Sequence, residues 1–174
     1  IRRAPRSTLF PYTTLFRSDE TYDYDTATDA QVADYANVYV EYDTNYRVKE
    51  LQERGTSCGG CGSGTSVGTT TLTWYASGST STYNDWALHV DIDRPDGTRL
   101  IVDVNKVRRV LNTVFQDNGA SPTRTWVWHN EYSDHNLIIR NCLPSACSGY
   151  SFTTPSGPLT VGISLDQGFI RKYE

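Results

Sequence analysis

The 174-residue chain carries sixteen Lys and Arg against twenty Asp and Glu, for a net charge of −4, with 37% hydrophobic and 12% aromatic residues. An acidic balance with no basic cluster is poor for gripping phosphate backbones and argues against a nucleic-acid partner. No apolar run approaches the ~20 residues that span a bilayer, while abundant Thr, Ser, Tyr, Val and Trp and scarce helix formers predict an all-β chain.

Residues 1–18, IRRAPRSTLFPYTTLFRS, are similar to one translated frame of a short-read sequencing adapter, departing from it at Ala4. They have no initiating Met, no apolar core and no small-residue cleavage site, so they do not read as a signal peptide. The expectation is an assembly artefact, with the natural protein beginning near Asp19. This segment holds Arg2, Arg3, Arg6 and Arg17 and no acid, so the remainder carries twelve basic side chains against twenty acidic ones. The chain has no Met and ends inside a strand pattern, as expected of a piece of a longer protein. Residues 19–174 are then one repeat segment, incomplete at both ends. Their number suffices for one domain, although open repeat arrays close their cores only against neighbouring units.

Asp19–Ala36 reads as a polar connector with at most one helical turn. Asn37–Glu53 (NVYVEYDTNYRVKELQE) alternates apolar and polar residues on both sides of a short polar loop, the pattern of an antiparallel hairpin. Arg54–Gly68 is a Gly/Ser/Cys loop. Thr69–Tyr75 is a strand, and Trp86–Asp93 another, with Trp86, Leu88, Val90 and Ile92 expected on one face. Arg94-Pro95-Asp96-Gly97 is a tight turn: Pro95 presets its own backbone dihedral and Gly97 accepts a positive one. Thr98–Val104 runs back, and Arg109–Phe115 follows a polar turn at Asn105–Arg108. After a loop at Asp117–Thr123, Thr125–Tyr132 and Leu137–Cys142 form a further hairpin. Leu143–Pro158 reads as irregular. Leu159–Leu165 and Phe169–Tyr173 are expected to form a last hairpin. The architecture predicted is a series of consecutive antiparallel hairpins forming an open curved sheet.

Four turns share one layout: EYDTNYRVKEL, DVNKVRRVLNT, EYSDHNLIIRN and SLDQGFIRKYE. An apolar or aromatic residue leads into a short polar turn, and apolar residues return at alternate positions. On Tyr42-Asp43 with Arg47-Val48, and more loosely on Asn105 with Arg109-Val110-Leu111 and Tyr132 with Asn136-Leu137-Ile138, the chain resembles the YD-repeat, or RHS-repeat, family. RPDGTRLIVDVNKVRRVL and WVWHNEYSDHNLIIRNCLPSACSGY are similar to further family segments. The resemblance spans nearly all of 19–174. It implies a β-strip wound into a hollow shell, as in bacterial RHS toxins, insecticidal toxin complexes and animal teneurins. It implies no enzyme activity, no cofactor, and export to the extracellular space or cell surface. The implied partners are the rest of a longer chain and an encapsulated C-terminal effector. The self-cleaving segment of the toxins has no counterpart here. In such a unit Tyr42 lays its ring on the neighbouring hairpin while its hydroxyl stays near water. Asp43 accepts from backbone N–H groups two residues on, and Arg47 faces Asp43 or Glu41.

Cys58-Gly-Gly-Cys61 admits three readings: a loop disulfide or unpaired thiols, half of a zinc site completed by Cys142 and Cys147, and a redox dithiol. Four residues between Cys142 and Cys147 weaken the zinc reading, and Gly62–Gly68 offers no helix for the redox one. Local pairs Cys58–Cys61 and Cys142–Cys147 suit an oxidising setting. His89, His129 and His135 lack ligand spacing; the first two read as packing or surface residues and the third as solvated. Asp91, Asp93 and Asp96 do not fit a calcium loop. No residue set reads as catalytic, cofactor-binding or metal-binding. Trp74, Trp86, Trp126 and Trp128 suit sheet packing, and offer one alternative function, a β-sheet surface that binds surface glycans.

Overall fold

The computed structural model describes residue 28 and residues 38–54, 67–77, 81–153 and 159–173. Their strands are β1 (Val38–Tyr42), β2 (Val48–Arg54), β3 (Val67–Ala76), β4 (Trp86–Asp93), β5 (Thr98–Asn105), β6 (Val110–Asp117), β7 (Arg124–Tyr132), β8 (Ile138–Cys142), β9 (Cys147–Phe152), β10 (Leu159–Ile163) and β11 (Ile170–Lys172). A 3-10 turn, Pro144–Ala146, precedes β9. There is no α-helix among the described residues, and no helix long and apolar enough to cross a membrane. Nine strands form one open antiparallel sheet in the order β1-β2-β3-β4-β5-β6-β7-β8-β11, and β9 and β10 pair separately. The open sheet of hairpins expected from the alternation is the one observed.

Three of the turns are built alike although their sequences differ. In each, the first residue donates its N–H to the carbonyl four residues on, and the fourth donates to the carbonyl of the first. These bonds are 2.8 and 3.0 Å at Asp43, 2.9 and 2.9 Å at Asn105, and 2.8 and 2.9 Å at Ser133. The fourth residue is left-handed in every case: Tyr46 at φ 60°, Arg108 at 65°, Asn136 at 60°. This is a type I turn followed by a one-residue bulge, a twist-compatible hairpin connection. The ladder registers shift beside each of them, at Glu41/Tyr42, Asp103/Val104 and Glu131/Tyr132. Arg94–Thr98 closes the same way, with Gly97 at φ 81°.

The registers place residues on two faces. On one face Ile101, Val114 and Val127 lie side by side across β5, β6 and β7. Cys147, Tyr150 and Val161 from β9 and β10 pack over them. The opposite face carries two apolar rows across β3 to β7: Leu72, Ile92, Leu100, Phe115, Trp126, and Trp74, Val90, Val102, Thr113, Trp128. A second apolar cluster, Trp86, Leu111 and Tyr132, sits near the turn ends with Tyr75, Tyr83, Phe152 and Leu159 against it.

Three expectations need correction. A register shift between Trp86 and Leu88 takes Trp86 off the Val90 face: it stands opposite Asn105, two residues from the Asp103 that faces His89, and its ring meets His89 edge-on. The stretch read as irregular holds the 3-10 turn and β9. The last hairpin does not form, because β10 pairs with β9 while β11 adds to the outer edge of β8. The intervening loop docks on the 3-10 turn: Phe169 N–H donates to Ser145 Oγ (3.0 Å) and Leu143 N–H to the Phe169 carbonyl (3.0 Å).

Candidate functional site: a buried polar row

Polar residues interrupt the apolar runs WALHVDID, LIVDVN and VLNTV, and the registers align one from each. His89, Asp103, Asn112 and His129 are direct cross-strand neighbours on β4, β5, β6 and β7. His89, Asp103 and Asn112 are each no more than 1% exposed. Buried polar groups are costly unless bonded, and here every one is. His89 Nδ1 lies 2.6 Å from Asp103 Oδ1 and its Nε2 3.0 Å from Asp91 Oδ1. Asn112 Nδ2 donates to Asp103 Oδ2 (2.9 Å). Tyr150, brought by β9, donates its hydroxyl to the same oxygen (3.0 Å). His129 Nδ1 lies 2.6 Å from Asn112 Oδ1.

The partners assign the protons. Both ring nitrogens of His89 face carboxylates, so both donate and the ring is an imidazolium. Burial alone would lower its pKa, but Asp103 and then Asp91 outweigh it and raise it to about 9. Phe152 stacks on this ring, centroids 3.7 Å apart and planes 11° apart, and Tyr75 closes in at 5.3 Å; aromatic faces favour a cation. His129 is the opposite case. The Asn112 amide spends its N–H on Asp103, so its oxygen accepts from His129 Nδ1–H. Burial holds this imidazole below its usual pKa, with Glu131 opposing and Arg140 reinforcing. Burial and then the Asp103 charge push the Tyr150 hydroxyl up, so it stays a donor.

A His-Asp-Tyr constellation has the makings of acid–base chemistry, yet its His89 and Asp103 are buried. What the row does is fix registration. A one-residue slip of any of these strands would move its polar group to the other face and leave partners unpaired. The signal in the sequence was the set of polar residues placed within apolar strands. Only the register shows that the interruptions meet.

The turn residues named from sequence hold separate places along one end of the sheet. Asp43 Oδ1 accepts from Asn45 and Arg47 N–H (2.8 and 2.9 Å), and Arg47 pairs with Oδ2 through Nε (2.8 Å), while Lys49 takes Glu41. Accepting backbone N–H groups holds Asp43 below its usual pKa. Asn105 Oδ1 repeats the pattern with Val107 and Arg109 N–H (3.1 and 3.0 Å), and its Nδ2 reaches the Tyr83 carbonyl (2.8 Å). In the third turn the acceptor is Ser133 Oγ, with His135 and Leu137 N–H at 3.3 Å; Asn136 supplies the left-handed residue. Tyr132 is buried, its hydroxyl donating to the Val110 carbonyl (2.9 Å), whereas Tyr42 stays 40% exposed. Asn84, unremarked in the sequence, ties a distant loop to Tyr132 with two bonds, Nδ2 to its carbonyl (2.9 Å) and Oδ1 from its N–H (2.7 Å).

Cys142 and Cys147 are free thiols in place of the local disulfide expected. They belong to different sheets, separated by the 3-10 turn. Burial, with Glu131 adding to it, raises the Cys142 thiol; burial, then Cys142, pushes Cys147 up to about 11. Protonated thiols are poor nucleophiles. Cys58 and Cys61 lie outside the described residues. No cluster of three or more His, Cys, Asp or Glu among the described residues has the arrangement to hold a metal ion. His135 is exposed in its turn. Compared with known proteins, the chain matches no family model, no curated protein and no solved structure.

Proposed function

We propose that the chain is a non-catalytic structural segment of a large exported protein of the YD/RHS-repeat kind, one length of a β-strip shell that encloses or presents another part of the same polypeptide. The observation that carries this reading is the recurrence of one turn geometry at Asp43, Asn105 and Ser133, in the β1–β2, β5–β6 and β7–β8 hairpins of one open sheet. A unit repeated in space with drifting sequence serves as construction, and its partners are further units of its own chain. The burial of His89 and Asp103 supports a non-enzymatic role. The glycan-binding alternative rests on Trp126 and Trp128, which are more than a third exposed. It is the weaker reading, since Trp74 and Thr113 are the hydrogen-bonding side chains in the two rows around them and Trp74 already gives its N–H to the Val48 carbonyl.

Long-read sequencing of the source genome tests the proposal. The expected frame lacks residues 1–18 and continues into further hairpins with the same turn layout. A complete short gene flanked by unrelated frames, or turnover of a hydrolase substrate panel by the purified chain, would refute it.

A further inference from the structure

Asn118 is the only Asn in the chain followed by Gly, and Asp96 the only Asp. A side-chain carbonyl before Gly meets a backbone nitrogen with no Cβ to crowd the approach. Both pairs sit in exposed turns, Asp96-Gly97 between β4 and β5 and Asn118-Gly119 between β6 and β7, yet they are held differently. Asp96 Oδ1 accepts from Thr98 N–H (2.9 Å) and Thr98 Oγ1 (2.7 Å), and Gly97 N–H donates to the Arg94 carbonyl (3.1 Å). The bonds from Thr98 hold this carboxyl below its usual pKa, so it stays ionised at neutral pH. An ionised carboxylate resists nucleophilic attack, and the nitrogen that would attack it is already engaged.

Asn118 has none of these restraints. Its amide is neutral, and no hydrogen bond holds its side chain among the described residues. Gly119 N–H points at a carboxylate, Asp117 Oδ1 at 3.2 Å, and a carboxylate can take up a proton where a carbonyl cannot. By contrast Asn84, Asn105, Asn112, Asn130 and Asn141 commit their amides to hydrogen bonds. We infer that Asn118 is a self-modification site, converting without an enzyme to aspartate and isoaspartate with water as co-reactant and Asp117 as the base. The Gly119 nitrogen bonds to Asn118 Cγ while its proton passes to Asp117. The bond from Cγ to the side-chain nitrogen breaks, and that nitrogen leaves as ammonia with a proton from solvent. Water then opens the cyclic imide at either carbonyl, which leaves aspartate or a backbone one methylene longer. Each turnover consumes one water and releases one ammonia. The site lies past the last rung of the β6–β7 ladder, Asp117 with Arg124, so the longer backbone extends a loop and leaves the strands paired. The product adds a second negative charge beside Asp117.

Ageing the full chain at pH 8 and 37 °C, followed by tryptic digestion and mass spectrometry, tests this. The expected result is an amide-to-acid mass gain that accumulates in the Val110–Arg124 peptide. Fragmentation should place it at Asn118 and not at the buried Asn112, with aspartate and isoaspartate both present. The strand signal in far-ultraviolet circular dichroism should persist in the aged protein. Gly119→Ala should slow the gain by about tenfold, the effect of about 1.4 kcal/mol on the barrier, and Asp117→Ala should slow it as well. No gain at Asn118, equal gain at the other Asn residues, isomerisation of Asp96 at the same rate, or an unchanged rate in Asp117→Ala would each overturn the inference.

Discussion

Replacing His89 by Gln removes the one positive charge in the buried row while keeping a donor toward Asp103. The imidazolium pKa rises from 6.5 to about 9 on folding, so the native state holds this proton more tightly than the unfolded chain. The resulting stability is fully present below pH 6.5 and is lost as pH rises through about 9. At about 1.4 kcal/mol per pKa unit, the shift corresponds to roughly 3 kcal/mol, and at 1% exposure little of it is screened by solvent. Urea melts of the wild type at pH 6.0 and 9.5 should therefore differ by about 3 kcal/mol more than those of His89→Gln. The thiols of Cys142 and Cys147, both raised on folding, add an alkaline loss of the same sign to both proteins and cancel in the difference. At pH 6.0 the variant should be about 3–5 kcal/mol less stable, the cost of breaking a buried pair. Equal pH slopes in the two proteins would refute the assignment of a charged His89.

Tyr150→Phe removes the hydroxyl donated to Asp103 and should cost about 1.5–3 kcal/mol in urea melts, with faster amide exchange in β9 and β10 than in β5. His129 has the opposite sign to His89: its pKa is lowered on folding, so its contribution is present above pH 6.5 and lost as pH falls below it. A nuclear magnetic resonance titration should find this ring more than half neutral at pH 6.5. Gly97→Ala places a side chain at φ 81° in open space and should cost about 1–2 kcal/mol from strain. Gly168→Ala, at the same φ, drives its Cβ into the Ser145 and Ala146 backbone and should prevent the β10–β11 loop from docking, read as a much larger drop in melting temperature.

Period-two alternation and turn chemistry located β1 to β8 to within a few residues, because hairpins are local and their signals lie next to each other in the chain. Where a strand's partner is remote, that legibility ended. CSGYSF is short and flanked by Pro, Ser and Gly, and its strand character comes from pairing with β10 and lying over Val127. Phe169–Tyr173 has strand residues, yet its partner is chosen by the Gly168 approach to Ser145. At Trp86 the alternation is intact in the sequence, and a one-residue register shift still changes which side chains share its face. The His89 row was hidden for a related reason. Each member looks like an ordinary strand polar residue until four registers are superimposed.

Strands β1 to β8 form a meander in which every strand hydrogen-bonds to its neighbour in sequence. Such contacts are short-range, so little loop-closure entropy opposes each addition, and low contact order accompanies fast folding. A chain emerging from the ribosome can complete each hairpin on the one before it. The long-range bonds, Asn84 to Tyr132 across 48 residues and Tyr150 to His89 across 61, close only after the strip exists. Pulse-labelling of amides during refolding should accordingly protect β4, β5 and β6 before β9. A strip assembled in this order can be lengthened at its growing edge without disturbing what has already folded.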